Sequence, residues 1–158
     1  MGHRVAGSPR NTRGTLIPTP SQTVGPFFGF ALPFDGDAVA AAGATRIEGQ
    51  VIDGAGEPVV DALLEVSQAG QFARCRTDSE GAFHFAVAKP AEGFLHVAVF
   101  ARGLLRHLNT RMYFPGAEDA ALLSVDAGRR PTLIARREGE VLRFDVRLQG
   151  EGETVFLA

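Results

Sequence analysis

The chain has 158 residues, 45% of them apolar and 22% charged, with a formal net charge of -2. That length fits one domain with a substantial core, and near-neutrality without a basic block excludes a polyanion-binding surface. A single cysteine, Cys75, excludes an internal disulfide, and no run is apolar for long enough to span a membrane.

Met1 to Gly14 is polar and basic, and no apolar core follows it as in a secretory leader. The expectation is a cytoplasmic protein with a flexible segment over residues 1–18 and one domain over 19–158. Pro18, Pro20 and Pro26 rule out a regular helix or central strand, yet Phe27, Phe28, Phe30 and Leu32 are too apolar to leave in water. The stretch reads as an extended, proline-stiffened arm that docks on its own domain or across a subunit boundary. Asp35 to Ala44 is small in composition and sustains no helix.

From Thr45 onward the pattern turns regular. Arg46 to Ile52 and Val59 to Ser67 are predicted strands around the turn Asp53-Gly54-Ala55-Gly56-Glu57-Pro58. In the second strand Val60, Ala62, Leu64 and Val66 share a face. Gln68 to Gln71 turns again, Arg74 to Thr77 is a short polar edge, and Ala82 to Val87 points Phe83, Phe85 and Val87 inward. Phe94 to Ala101 is apolar on both faces and reads as a central strand covered on both sides. His96 is its only polar residue, and Arg102 and Gly103 stand at its exit. His107 to Phe114 is extended, and Pro115 to Arg130 is a loop with room for one helical turn. Thr132 to Arg136 and Val141 to Leu148 form a hairpin around Glu138-Gly139-Glu140, and Val155 to Leu157 closes the chain. The fold class is all-β, a sandwich of about eight mostly antiparallel strands with an extended proline-rich N-terminal arm. Strand order is not readable from this pattern.

Taken alone, the residues leave the chemistry open. Ser67, His96 and Asp61 supply the residue types of a hydrolytic triad without a nucleophile-elbow spacing. His84, His96 and Cys75 make a metal set only if their strands pair favourably; a buried, hydrogen-bonded His96 is the plainer reading. Gly54 and Gly56 make a turn and no dinucleotide fingerprint, since no helix follows. Arg102 ends an apolar strand, where a guanidinium is costly unless paired or exposed. It is either half of a structural ion pair or a fork that recognises an anionic ligand at the sandwich rim. Arg129, Arg130, Arg136 and Arg137 read as a solvated or interface face.

Several runs carry a resemblance. Thr19-Pro20-Ser21-Gln22-Thr23-Val24-Gly25-Pro26-Phe27-Phe28, Phe100-Ala101-Arg102-Gly103 and Thr110-Arg111-Met112-Tyr113-Phe114 are similar to the α subunits of protocatechuate 3,4-dioxygenases, of the intradiol ring-cleaving family. Thr132-Leu133-Ile134-Ala135-Arg136-Arg137 and the run from Arg143 to Phe156 continue the likeness, which spans Thr19 to the end. The resemblance implies paired α and β chains, with a non-haem Fe(III) held by two tyrosines and two histidines of the β chain. It also implies cleavage of protocatechuate with O₂ to 3-carboxy-cis,cis-muconate in aromatic catabolism, the β-ketoadipate pathway. It puts Phe72 at the first tyrosine and Phe94 and His96 at the two histidines. The segment bearing the second tyrosine is almost gone between Pro90 and Gly93. One ligand of four remains, so Phe72, Phe94 and His96 are expected to be a relic metal site filled by apolar packing, with no metal and no catalytic residue in this chain.

Thr23, Gly25, Pro26 and Arg102 match the positions that reach the partner's iron site, with Arg102 on the substrate's ring carboxylate. Compared with that family the chain lacks material between Phe30 and Thr45, after Phe72 and before Gly93. The implied partners are a β subunit, protocatechuate at the shared pocket and a higher-order αβ oligomer, without nucleic acid or membrane. The competing reading is a self-associating structural or binding sandwich without dioxygenase activity.

Overall fold

The computed structural model describes residue 32, residues 34–42 and residues 44–157. Among these, nine strands make two sheets: β1 (Thr45–Ile52), β2 (Leu63–Gln68), β3 (Gln71–Arg76), β4 (Ala82–Val87), β5 (Phe94–Phe100), β6 (Leu108–Tyr113), β7 (Arg136–Glu138), β8 (Val141–Arg143) and β9 (Val146–Arg147). One sheet has the order β4-β1-β8-β7, with β9 also on β1; the other has the order β3-β2-β5-β6. All pairings are antiparallel except those of β1 with β8 and β9. The all-β sandwich read from the alternation is the fold observed. Thr23, Gly25, Pro26, the rest of the arm up to residue 31 and the boundary at residue 18 lie outside the described residues. Among the described residues no helix is long and apolar enough to cross a membrane.

Side chains on alternate positions build the core. Leu95, Val97 and Val99 of β5 are buried with Ile47 and Val51 of β1 and Phe83, Phe85 and Val87 of β4. Each fully buried side chain of this size stabilises by roughly 1.5–3 kcal/mol. Gly49 occupies the inward position between Ile47 and Val51. A Cβ there would lie 1.8 Å from the Phe144 carbonyl oxygen and 2.6 Å from the Phe83 ring. Its bare backbone lets the chain after β8 close on β1, where the Phe144 N–H donates to the Glu48 carbonyl at 2.8 Å.

The structure corrects several local expectations. The strand predicted from Val59 starts only at Leu63, and Val60 is exposed. The buried Thr77 hydroxyl donates to the Val59 carbonyl at 2.8 Å and accepts from the Ala62 N–H at 3.0 Å, holding those residues in a bend. The polar edge is longer than expected: β3 pairs fully with β2 across a two-residue loop, Ala69-Gly70, with φ of 52° and 80°. Two positive φ values match the twist of the flanking strands. The loop after Pro115 contains the helix α1 (Ala120–Ser124), and Arg130–Leu133 is a 3-10 turn where the hairpin strand was expected to begin. Arg130 is half-buried and engaged: it donates to the Val125 and Leu123 carbonyls at 2.9 and 2.7 Å, closing the end of α1. Among the described residues the central strand β5 is fully covered on one side only along most of its length. Leu95, Val97, Val99 and Ala101 are buried, whereas His96 is exposed and Ala98 and Phe100 are half-buried. Phe94 is buried by a second small cluster with Tyr113, Leu122 and Leu133.

Candidate functional site

Strand register decides which side chains share the outward face of the β3-β2-β5-β6 sheet. Ser67 lies opposite both Phe72 and His96, and His96 opposite Arg111, so those four form a row across the sheet. The adjacent row is Arg74, Glu65, Ala98 and Asn109. In the row after that, the Phe100 ring stacks on His107 at 5.2 Å. Asp61 and Arg102 extend the β2–β5 register by one more outward pair, and they form an ion pair.

Three ion pairs punctuate this face, and they differ in exposure. Arg74 donates through Nε and Nη2 to Glu65 Oε1 at 2.8 and 2.6 Å, with its side chain 21% exposed. Arg111 bonds to Asp119 at 2.9 Å and is 22% exposed. Arg102 is 63% exposed beside Asp61. The first two guanidiniums are therefore fixed parts of the surface, whereas the third stands largely in water at the sheet's end.

At the opposite end a network surrounds Phe94. The Arg111 guanidinium lies 4.2 Å from the Phe94 ring centre, a cation–π contact. Its Nη1 donates to the Tyr113 oxygen at 3.2 Å, and the Tyr113 hydroxyl donates to Asp119 Oδ1 at 2.9 Å. Asp119 is also the N-cap of α1, accepting from the Leu122 N–H at 2.8 Å. Partial burial works against the Asp119 charge, but the Leu122 N–H, the Tyr113 hydroxyl and the Arg111 guanidinium outweigh it and hold the carboxyl below its usual range. Burial pushes the Tyr113 phenol up, so it stays protonated.

Between these ends runs a groove of about 360 Å³ that Phe72, Ser67, His96, Asn109 and Arg111 help to line. Phe72 is half exposed in it, and the His96 ring meets the Phe94 ring edge-on at 5.2 Å. The apolar filling expected for all three positions therefore exists only around Phe94; Phe72 and His96 border open space. The expectation of a buried His96 is corrected: it is exposed, and among the described residues no layer covers it on the outward side of β5. Ser67 and His96 face each other, but Asp61 lies six residues earlier, before the start of β2, and is taken by Arg102. No hydrolytic triad assembles from them. His84 is exposed on β4 of the other sheet, and Cys75 faces the core, where burial raises its thiol pKa. Those two and His96 point away from one another.

A ferric ion calls for hard, anionic oxygen donors. Phe72 and Phe94 offer no donor atom, and the Tyr113 phenol is spent on Asp119. Among the described residues no three His, Cys, Asp or Glu side chains are grouped to hold a metal. The residues present do not fit iron.

The sequence reading missed Arg111, Tyr113 and Asp119 as a unit. An Asp directly before Ala120-Ala121-Leu122 was an N-cap signal, but nothing local joined it to β6. It also missed Asp61 as the specific partner of Arg102, which follows only once β2 is known to pair with β5.

No family model matches the chain. It is 36% identical over 192 residues to the protocatechuate 3,4-dioxygenase alpha chain of Burkholderia cepacia, with 90% of this chain and 98% of that one covered. With the Pseudomonas putida alpha chain it is 33% identical over 198 residues, covering 89% and 96%. The Burkholderia cepacia beta chain is 29% identical over 68% of this chain and 65% of its own length. These alpha-chain alignments run longer than this chain's 158 residues, so the relatives carry segments it lacks. Among solved structures, the dioxygenase domain of a carbohydrate-binding fusion from Streptomyces sp. SirexAA-E superposes with a TM-score of 0.55 at 26% identity, covering 85% of this chain and 99% of that one. Catechol 1,2-dioxygenase from Pseudomonas arvilla C-1 shares the fold with a TM-score of 0.52 at 21% identity, covering 71% and 55%.

Proposed function

The chain belongs to the family of protocatechuate 3,4-dioxygenase alpha chains, and from that premise we propose that it is the noncatalytic subunit of such a dioxygenase. It completes the substrate pocket of a beta chain that holds Fe(III), within a higher-order αβ oligomer. The iron of that beta chain supplies the chemistry that cleaves protocatechuate with O₂ to 3-carboxy-cis,cis-muconate. This chain's own contribution is binding and orientation.

The observation that carries the reading is the contrast among the three ion pairs. Arg74 and Arg111 are held in place, whereas Arg102 is mostly exposed and, among the described residues, tied to Asp61. An exposed pair is worth roughly 0–1 kcal/mol, so an incoming carboxylate replaces Asp61 at little cost. The Arg102 fork then takes the ring carboxylate of protocatechuate bidentately and turns its hydroxyls toward the partner's metal. Thr23, Gly25 and Pro26 form the rest of that entrance, the glycine admitting close backbone approach and the proline fixing the chain's direction. Phe72, Phe94 and His96 are the remains of a metal site whose role has passed to the beta chain.

The test is co-expression with a beta-type chain, iron quantification and O₂ uptake with protocatechuate. Arg102→Ala raises KM roughly tenfold or more, the loss of a charged hydrogen-bond pair, and leaves iron content unchanged. Arg102→Lys recovers part of the affinity. An unchanged KM in Arg102→Ala removes the role assigned to this side chain.

A further inference from the structure

The outward face of the other sheet carries a second cavity, with no residue in common with the Arg102 face. It encloses about 290 Å³ beside the β7–β8 hairpin and the segment leading to Thr154. Three arginines, Arg136, Arg143 and Arg147, line it with a single carboxylate, Asp145. Their commitments differ. Arg143 is engaged, donating from Nε to Asp145 Oδ1 at 2.7 Å and from Nη2 to Gln50 Oε1 at 3.1 Å. Asp145 Oδ1 also accepts from the Gln50 N–H at 3.1 Å. Arg136 has only long contacts, 3.3 Å to Asp145 and 4.0 Å to Glu138, and its side chain is 66% exposed. Among the described residues no carboxylate pairs with Arg147, whose backbone N–H is held by the Thr154 hydroxyl at 3.0 Å.

One carboxylate lines the cavity against three guanidiniums, Glu138 reaches Arg136 only at 4.0 Å, and the forks of Arg136 and Arg147 keep donors to spare. Phe144 and Pro131 add apolar wall between them. A planar guanidinium fork matches a carboxylate bidentately, and two forks with donors to spare suit a ligand with a carboxylate at each end. The volume lies at the small end of small-molecule sites. It admits a short organic acid and is too small for a folded element of another protein.

We propose that this cavity binds a small aliphatic dicarboxylate, its two ends taken by Arg136 and Arg147 and its carbon chain lying on Phe144 and Pro131. The proposal uses neither Arg102 nor a partner chain, so it stands or falls apart from the dioxygenase reading. Isothermal titration of the full chain with glutarate, butyrate and the neutral diamide glutaramide tests it at low salt. Glutarate is expected to bind saturably with one-to-one stoichiometry, butyrate more weakly and glutaramide not at all. High salt weakens the glutarate signal. Arg147→Gln lowers glutarate affinity roughly tenfold or more, and Arg147→Lys restores part of it. Arg136→Gln, at an exposed position where folding is not at stake, lowers it in the same direction. Absence of saturable glutarate binding, equal binding of glutaramide, or unchanged affinity in both glutamine variants overturns the proposal.

Discussion

Replacing Asp119 with alanine severs three contacts at once. The Leu122 N–H loses its cap, the Tyr113 hydroxyl loses its acceptor, and Arg111 loses its carboxylate. Loss of an N-cap costs about 1 kcal/mol. Tyr113 is 1% exposed, so stranding its hydroxyl costs about another 1 kcal/mol, and the half-buried Arg111 pair adds up to about the same. Destabilisation of roughly 2–3 kcal/mol follows, lowering Tm by about 4–12 °C for a chain of this size. The assay is unusually direct: Tyr113 is the one tyrosine and there is no tryptophan, so intrinsic fluorescence during urea unfolding reports from inside this network. The pH dependence has a definite sign. The Asp119 carboxyl is held below its unfolded value, so its stabilisation is full above that value and is lost as pH falls through the lower folded one. Asp119→Asn keeps a capping oxygen and loses that part of the acid slope. A variant within about 0.5 kcal/mol of the parent, or an unchanged acid slope, refutes the reasoning.

Other substitutions probe the frame and the rim. Gly49→Ala forces a Cβ onto the Phe144 carbonyl, a backbone atom that cannot rotate away, and costs about 3 kcal/mol or more by chemical denaturation. Ala69→Gly relieves a left-handed alanine at φ 52° and raises stability by about 0.5–1 kcal/mol, offset in part by glycine's added freedom when unfolded. Asp61→Asn removes the carboxylate that competes for Arg102; in the αβ assembly it lowers KM for protocatechuate, and a raised KM marks Asp61 as a positioning residue instead.

The sequence displayed what strand alternation displays. Phe83, Phe85 and Val87, and Leu95, Val97 and Val99, declared their inward faces because every second position was apolar. The outward face of β5 misled for the same reason. Phe94, Ala98 and Phe100 are as apolar as their inward neighbours, yet only Phe94 is fully covered, by a helix and a turn that come later in the chain. Alternation cannot say which face a second layer will cover. Arg102 was legible as an anomaly, a cation ending an apolar run, but its partner depended on a β2–β5 register that no local pattern encodes. The Arg111–Tyr113–Asp119 unit was hidden by a five-residue helix too short for periodicity.

That hidden unit also bears on what metal binding in the groove would require. A histidine placed at position 94 would sit under a guanidinium that is 4.2 Å from the present ring centre, a cation where a metal ion would need to approach. The acids nearest the groove are engaged, Glu65 by Arg74 and Asp119 by Arg111, and the sole phenol donates to Asp119. Freeing any of them leaves a half-buried polar or charged group without its partner, at a cost of about 1 kcal/mol each. The ion pairs of this face thus work against a metal site in the groove. Of the three ion-paired arginines on this face, Arg102 is the most exposed, at the far end, where it has a fork to offer a ligand.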